Sequence, residues 1–172
     1  MNPVSTTSRV AAVRGLDLYA MTREALEAFG GAANIIQPGE RVLVKPNFGA
    51  FGMVKYDPVH AGDAVKPEIV ITVAEECLKA GAAEVIIGEG GQANVFSWAQ
   101  IKTLDGLTNV EAEAARMNEV YAPAKVTLAC LNSQSPAWDM VPTYTKLNNL
   151  YVSSMVTRAD RVISIPVIKS HR

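Results

Sequence analysis

The feature that most constrains this chain is a set of short, unbroken runs of β-branched and aliphatic residues: Val42-Leu43-Val44, Val85-Ile86-Ile87, and Val162-Ile163 with Ile165. None shows the alternation of a strand with one wet face. Each therefore reads as a strand covered on both faces, as the strands of parallel sheets are. Arg9 to Val13 and Lys125 to Cys130 have similar composition, so strands are expected at 9–13, 41–45, 84–87, 125–130 and 161–165. Helical patterns fall between them. Leu18, Met21, Ala25 and Phe29 make an apolar stripe that Gly30-Gly31 ends, and Gln37-Pro38-Gly39 turns the chain. A second helix is expected to start at Pro67, whose missing N–H costs nothing at the first helical position, with Glu68 complementing the positive end of the helix dipole. Its stripe is Ile69, Val70, Val73, Cys77 and Leu78, and Gly81 closes it. In that stripe Cys77 reads as core filler rather than as a nucleophile.

A third helical region follows two capping-box patterns, Ser97 to Gln100 and Thr108 to Glu111, divided by Asp105-Gly106. Strands alternating with helices of this length predict βαβ units. The fold class expected is α/β: a mostly parallel sheet with helices on both faces, its strand C-terminal ends gathered on one rim where ligands bind. Residues 132–149, with Pro136 and Pro142, carry no clear period and read as a long loop, a candidate functional segment. No segment after the last apolar run has a helical pattern that would cover it. The expectation is a single α/β domain over 1–172 that is the N-terminal part of a longer chain, an incomplete domain.

Composition removes several partners. Sixteen Lys and Arg stand against 17 Asp and Glu, a net charge of −1, so no basic footprint for nucleic acid or an anionic membrane surface is present. No apolar run approaches the roughly 20 residues of a membrane span, and the first residues lack a signal-peptide pattern. Cys77 and Cys130 lie far apart, match no metal or redox pair, and read as reduced thiols of a cytoplasmic protein.

Four polar clusters follow predicted strands and should converge on the rim. Lys45-Pro46-Asn47 ends the first of these strands; Pro46 stops the ladder and leaves Lys45 and Asn47 to face the crevice, or else to form a solvated turn. Gly88-Glu89-Gly90-Gly91-Gln92-Ala93 matches the spacing of a phosphate-binding turn, although the nearest helix cap is Ser97 and Glu89 would put a carboxylate beside the phosphates. Gly88 and Gly90 are candidate ligand-binding positions and Glu89 a candidate base. Lys55 to His60 lies in a loop able to act as a lid, with Asp57 and His60 as its chemically active residues. Pro166 to His171 places Lys169 and His171 just past the last strand. Two lysines, two histidines and a glutamate suit a small anionic molecule: Lys45 and Lys169 to hold it, Asn47 to orient it, Glu89 or His171 to exchange a proton. Zinc on His60, His171 and Glu89 has no diagnostic spacing, so no metal is expected, and no cofactor is specified.

These pieces, Val42-Leu43-Val44-Lys45-Pro46-Asn47, Ala80-Gly81-Ala82 leading to Val85-Ile86-Ile87-Gly88-Glu89-Gly90, and Ala159 through His171, occur in an order that resembles the family known as domain of unknown function 362. The resemblance spans most of the chain. It implies an α/β domain, in some members beside or fused to a ferredoxin-type iron–sulfur module, with no reaction established for the family as a whole. It therefore brings an alternative: a non-enzymatic accessory or ligand-carrying module that docks an iron–sulfur redox partner. The chain departs from the family where Thr-Asp-Pro is expected and Val65-Lys66-Pro67 stands, which puts a binding role for that helix start in doubt.

Overall fold

The structure, a computed structural model, describes residues 9–49, 51, 57–90, 97–133, 137–143, 146 and 148–169. Four apolar runs form a parallel sheet: β1 (Arg41–Pro46), β2 (Glu84–Glu89), β3 (Lys125–Cys130) and β6 (Arg161–Ile165), in the order β3-β2-β1-β6. Register is set by apolar pairs, Val42 against Val85, Val44 against Ile87, Leu43 against Val162 and Val44 against Ile163. Every strand enters from the same edge, so the residues after Pro46, Glu89, Cys130 and Ile165 all leave at the opposite one.

The helices follow the stripes. The first, α1 (Leu18–Glu27), is capped by Asp17, whose side chain accepts from the Ala20 amide. The second, α2 (Pro67–Lys79), has Pro67 at its start, and the third, α3 (Val110–Val120), is capped by Asn109. Val70, Val73, Ala74, Cys77 and Leu78 of α2 join Val110, Ala114 and Met117 of α3 over Val42, Val44, Val85 and Ile87, the main core. On the other face Met155 and Val156 of the short α4 (Ser154–Thr157), with Ala159, pack on Leu43, Ile86, Ala129 and Leu131. The fold is thus an α/β parallel sheet with helices around it.

Four expectations need correction. The run at Val162 is not covered on both faces: β6 is at the edge of the sheet, paired with β1 alone among the described residues, so Val162 is left exposed and Ile163 and Ile165 are only partly buried. Residues 9–13 are not a strand: the Arg9 guanidinium donates to the Ala28 carbonyl at 2.7 Å and lies 5.7 Å from the Phe29 ring, which holds the segment against the end of α1 instead of in a ladder. The third helical region is capped by Asn109 rather than Thr108, whose hydroxyl donates instead to Glu113 Oε1, and Trp98–Gln100 is a single 3-10 turn without a side-chain cap. Part of the expected loop over 132–149 is β4 (Trp138–Pro142), which pairs antiparallel with β5 (Asn149–Ser153). The ribbon escaped the reading because Trp138, Met140 and Tyr151 are exposed rather than core-facing, so no buried period marks it.

Candidate functional site

The rim is built around Glu89, the last residue of β2. It is 6 % exposed, and its carboxylate accepts four hydrogen bonds from three groups: the Lys45 ammonium at 3.0 Å to each oxygen, the Phe48 amide at 2.9 Å and the Gly90 amide at 2.8 Å. A buried carboxylate is tolerated only when paired and bonded in this way. Lys45 spends its third N–H on the Pro46 carbonyl at 2.7 Å, so all three of its donors are used within the protein. The ends of β1 and β2 are locked together by a neutral pair.

Lys169 differs. Its ammonium reaches Asn47 Oδ1 at 3.4 Å and the Asp63 carbonyl at 3.2 Å, and no carboxylate forms an ion pair with it among the described residues. The loop it touches is tied to the same place: the Val65 amide donates to the Asn47 carbonyl at 3.0 Å, and the Lys66 ammonium donates to the Val59 carbonyl. The expected convergence of Lys45, Asn47, Glu89 and Lys169 is therefore present in the geometry, with one positive charge neutralised and the other not.

Gly88 and Gly90 have a steric reason of their own. A Cβ at Gly88 would lie 2.8 Å from Leu43 Cδ1 and 3.0 Å from Leu131 Cδ2, and one at Gly90 would lie 2.7 Å from Asn132 Oδ1. Neither has a positive φ, so close approach rather than turn conformation is what a side chain would meet: at Gly88 the buried Leu43 and Leu131 would have to shift, at Gly90 the exposed Asn132 side chain. Asn132, which follows β3, donates to the Gly90 carbonyl, a rim residue the sequence reading missed. Its position two residues after a strand was the available signal, close to the one that pointed to Asn47. No α-helix begins after Gly90 among the described residues until Val110, unlike a dinucleotide-binding turn.

Asp57 and His60 pair with each other at 2.9 Å on the loop surface, and Asp57 also accepts from the Val59 and His60 amides. The hydrogen bond from His60 outweighs the loss of hydration and holds the Asp57 carboxyl below its usual range. No described bond links this pair to Lys45, Glu89 or Lys169. His171, like Lys55 and Gly91 to Ala93, lies outside the described residues. Among the described residues no three His, Cys, Asp or Glu side chains are placed to hold one metal ion.

The chain is thus an α/β protein whose parallel-sheet strand ends present a bonded Glu–Lys pair and, at Lys169, an ammonium held by Asn47 and the Asp63 carbonyl. More particularly, residues 42–172 match the model of the family described as domain of unknown function (DUF362), and the chain belongs to that family. It is also similar to a thylakoid-associated protein of Synechocystis sp., at 27% identity over 154 residues, which is 90% of this chain and 41% of that protein. The chain thus spans well under half the length of that curated relative. No solved structure gives a significant match. Among the described residues no helix is long and apolar enough to cross a membrane.

Proposed function

We propose that the rim binds a small anionic substrate or cofactor, with Lys169 as the principal anion holder. The observation that carries this reading is the Lys169 ammonium, held between Asn47 and the Asp63 carbonyl with no carboxylate paired to it among the described residues, and a Lys45 whose charge Glu89 already balances. Lysine provides a point charge and donors suited to carboxylate or phosphate. In this reading Asn47 orients the anion and the loop bearing Asp57 and His60 acts as a lid, while Gly88 and Gly90, packed against Leu43, Leu131 and Asn132, keep a structural role. Because both Glu89 oxygens are engaged by four N–H groups, proton exchange falls to His171, two positions beyond Lys169 in the sequence. The reading places the protein in the cytoplasm.

Isothermal titration of the full chain with inorganic phosphate and with oxalate tests it. Lys169→Ala should weaken binding by about fivefold or more, the loss of one charge-assisted bond, with melting temperature nearly unchanged. Equal binding by the variant would overturn the reading. Lys45→Ala is a poorer probe, because it strips a buried carboxylate of its counter-ion and lowers stability as well.

A second reading has one observation in its favour. Trp138, Met140 and Tyr151 leave an exposed apolar face on the ribbon, and Met140 lies directly opposite Tyr151. Such a patch suits docking onto another protein, here an iron–sulfur redox partner, without chemistry of its own. Chemical cross-linking to a ferredoxin that survives Trp138→Ser and Tyr151→Ser would count against it.

A further inference from the structure

Anion sites in parallel α/β folds draw on backbone amides that follow the strands and on helix N-termini. Here both sources are already committed. The amides of Phe48, after β1, and Gly90, after β2, donate at 2.9 and 2.8 Å to Glu89, so the protein's own carboxylate fills the place a phosphate would take. Helix α2 begins with Pro67, which has no N–H, and carries Glu68 buried in its first turn, so its positive end is answered from within as well. Lys45 is paired with Glu89, and Lys66 turns its ammonium to the Val59 carbonyl. What remains is a pair of side-chain donors on Lys169 and Asn47. Lys169 uses two N–H bonds, on Asn47 Oδ1 at 3.4 Å and on the Asp63 carbonyl at 3.2 Å, and the third has no acceptor among the described residues. The same contact orients Asn47: its Oδ1 faces the ammonium, because the amide NH2 there would set donor against donor. Nδ2 is left without an acceptor among the described residues. The described side-chain atoms shut off from solvent without a partner are Glu68 Oε2 and Ser153 Oγ, so Nδ2 is open to an incoming group. Since Oδ1 and Nδ2 share one carboxamide, Nδ2 and the Lys169 ammonium lie within the span that the two oxygens of one carboxylate bridge.

We propose that this donor pair takes the carboxylate of a monocarboxylic acid, and that Asn47 sets the preference for it over a phosphoryl group; the proposal rests on the anion-binding reading of the rim. One carboxylate oxygen accepts from Lys169 and the other from Asn47 Nδ2. Two adjacent donors that together carry a single positive charge match a planar, singly charged group. A phosphoryl dianion brings a second charge and three oxygens to satisfy, and the amides that would serve it are held by Glu89. Glu89 thus acts as a selectivity element from inside the fold: by occupying the backbone donors, it leaves the rim with side-chain donors alone.

The test is a titration of the full chain followed by nitrogen-15 NMR, with pentanoate, butanesulfonate and butyl phosphate near neutral pH and at constant ionic strength. The three share a butyl tail and differ in the head: planar and singly charged, tetrahedral and singly charged, tetrahedral and close to doubly charged. The Asn47 carboxamide protons report the proposed bond directly. The expected result is a saturable downfield shift of those protons with pentanoate, at an affinity about threefold or more above that of either other anion. Asn47→Ala keeps Lys169 and the backbone bond from Val65, so with an unchanged melting temperature it should still bind anions but lose the preference. Equal or tighter binding of butyl phosphate or butanesulfonate, or a preference that survives Asn47→Ala, overturns the assignment. If Lys169→Ala weakens binding in that case, the anion-binding reading of the rim stands without it. No saturable binding of any of the three, or binding indifferent to Lys169→Ala, overturns both.

Discussion

Glu89 shows how one carboxylate can read as a catalyst in the sequence and as a fastening in the fold. A glutamate after a β-strand between two glycines suggests a base, yet its two oxygens receive the Lys45 ammonium and the Phe48 and Gly90 amides. Removing it strands two amides and an ammonium. Glu89→Ala should therefore lower stability by about 2–3 kcal/mol, at the modest end because Lys45 is part exposed, as measured by urea unfolding. Glu89→Gln should cost roughly half as much, since one oxygen remains. Cys77 makes the opposite point: its place in the stripe of α2 marks it as core, and burial, with help from Glu76, pushes its thiol up to about 12. Ellman's reagent should leave Cys77 unreacted in the native protein at pH 8 and modify it only on unfolding. At this scale the types and positions of Lys45, Asn47, Glu89 and Lys169 were legible in the sequence. Their partners were not, because a backbone amide such as that of Phe48 has no signature in side-chain order, and the steric reasons for Gly88 and Gly90 come from Leu43 and Asn132, distant in sequence.

Among the elements, those with two buried faces were readable and those at the surface were not. The runs at Val42 and Val85 carry their strands because no other arrangement hides so many β-branched residues, whereas β6 is an edge strand with Val162 exposed and the ribbon of β4 and β5 is held by backbone pairing over side chains left in water. The start of α3 rests on Asn109, which bonds the Ala112 amide at 2.9 Å. Asn109→Ala should cost about 1 kcal/mol, read as a shifted urea midpoint with unchanged slope. The contact of α2 with α3 is electrostatic as well as apolar. Partial burial raises Glu75, but the hydrogen bond and charge of Arg116, at 2.9 Å, outweigh it and leave its carboxyl below the ordinary value of 4.5. A carboxyl depressed in the folded state contributes stability above its unfolded value and loses it as pH falls through the folded one. Glu75→Gln should therefore cost about 1 kcal/mol near neutrality and nothing once pH is well below 4.5, so the acid limb of a stability–pH curve should flatten.

For the molecule as a whole, the sheet ends in β6, which pairs with β1 alone among the described residues and leaves Val162 54 % exposed. A long apolar edge is a template for another strand. Sedimentation velocity should show self-association that rises with concentration, and Val162→Lys should suppress it without lowering the melting temperature.

The strand order has a further meaning for when the rim comes into being. Asn47 and Lys169 are 122 positions apart, and Asp160 accepts from the Arg41 amide across 119. Neither contact exists until the last strand in the sequence has docked beside the first, so both belong to the long-range contacts whose loop-closure cost falls on folding. An anion held between them would act as a witness to that docking: a chain without β6 would lack the site, and bound anion would hold the first and last strands together.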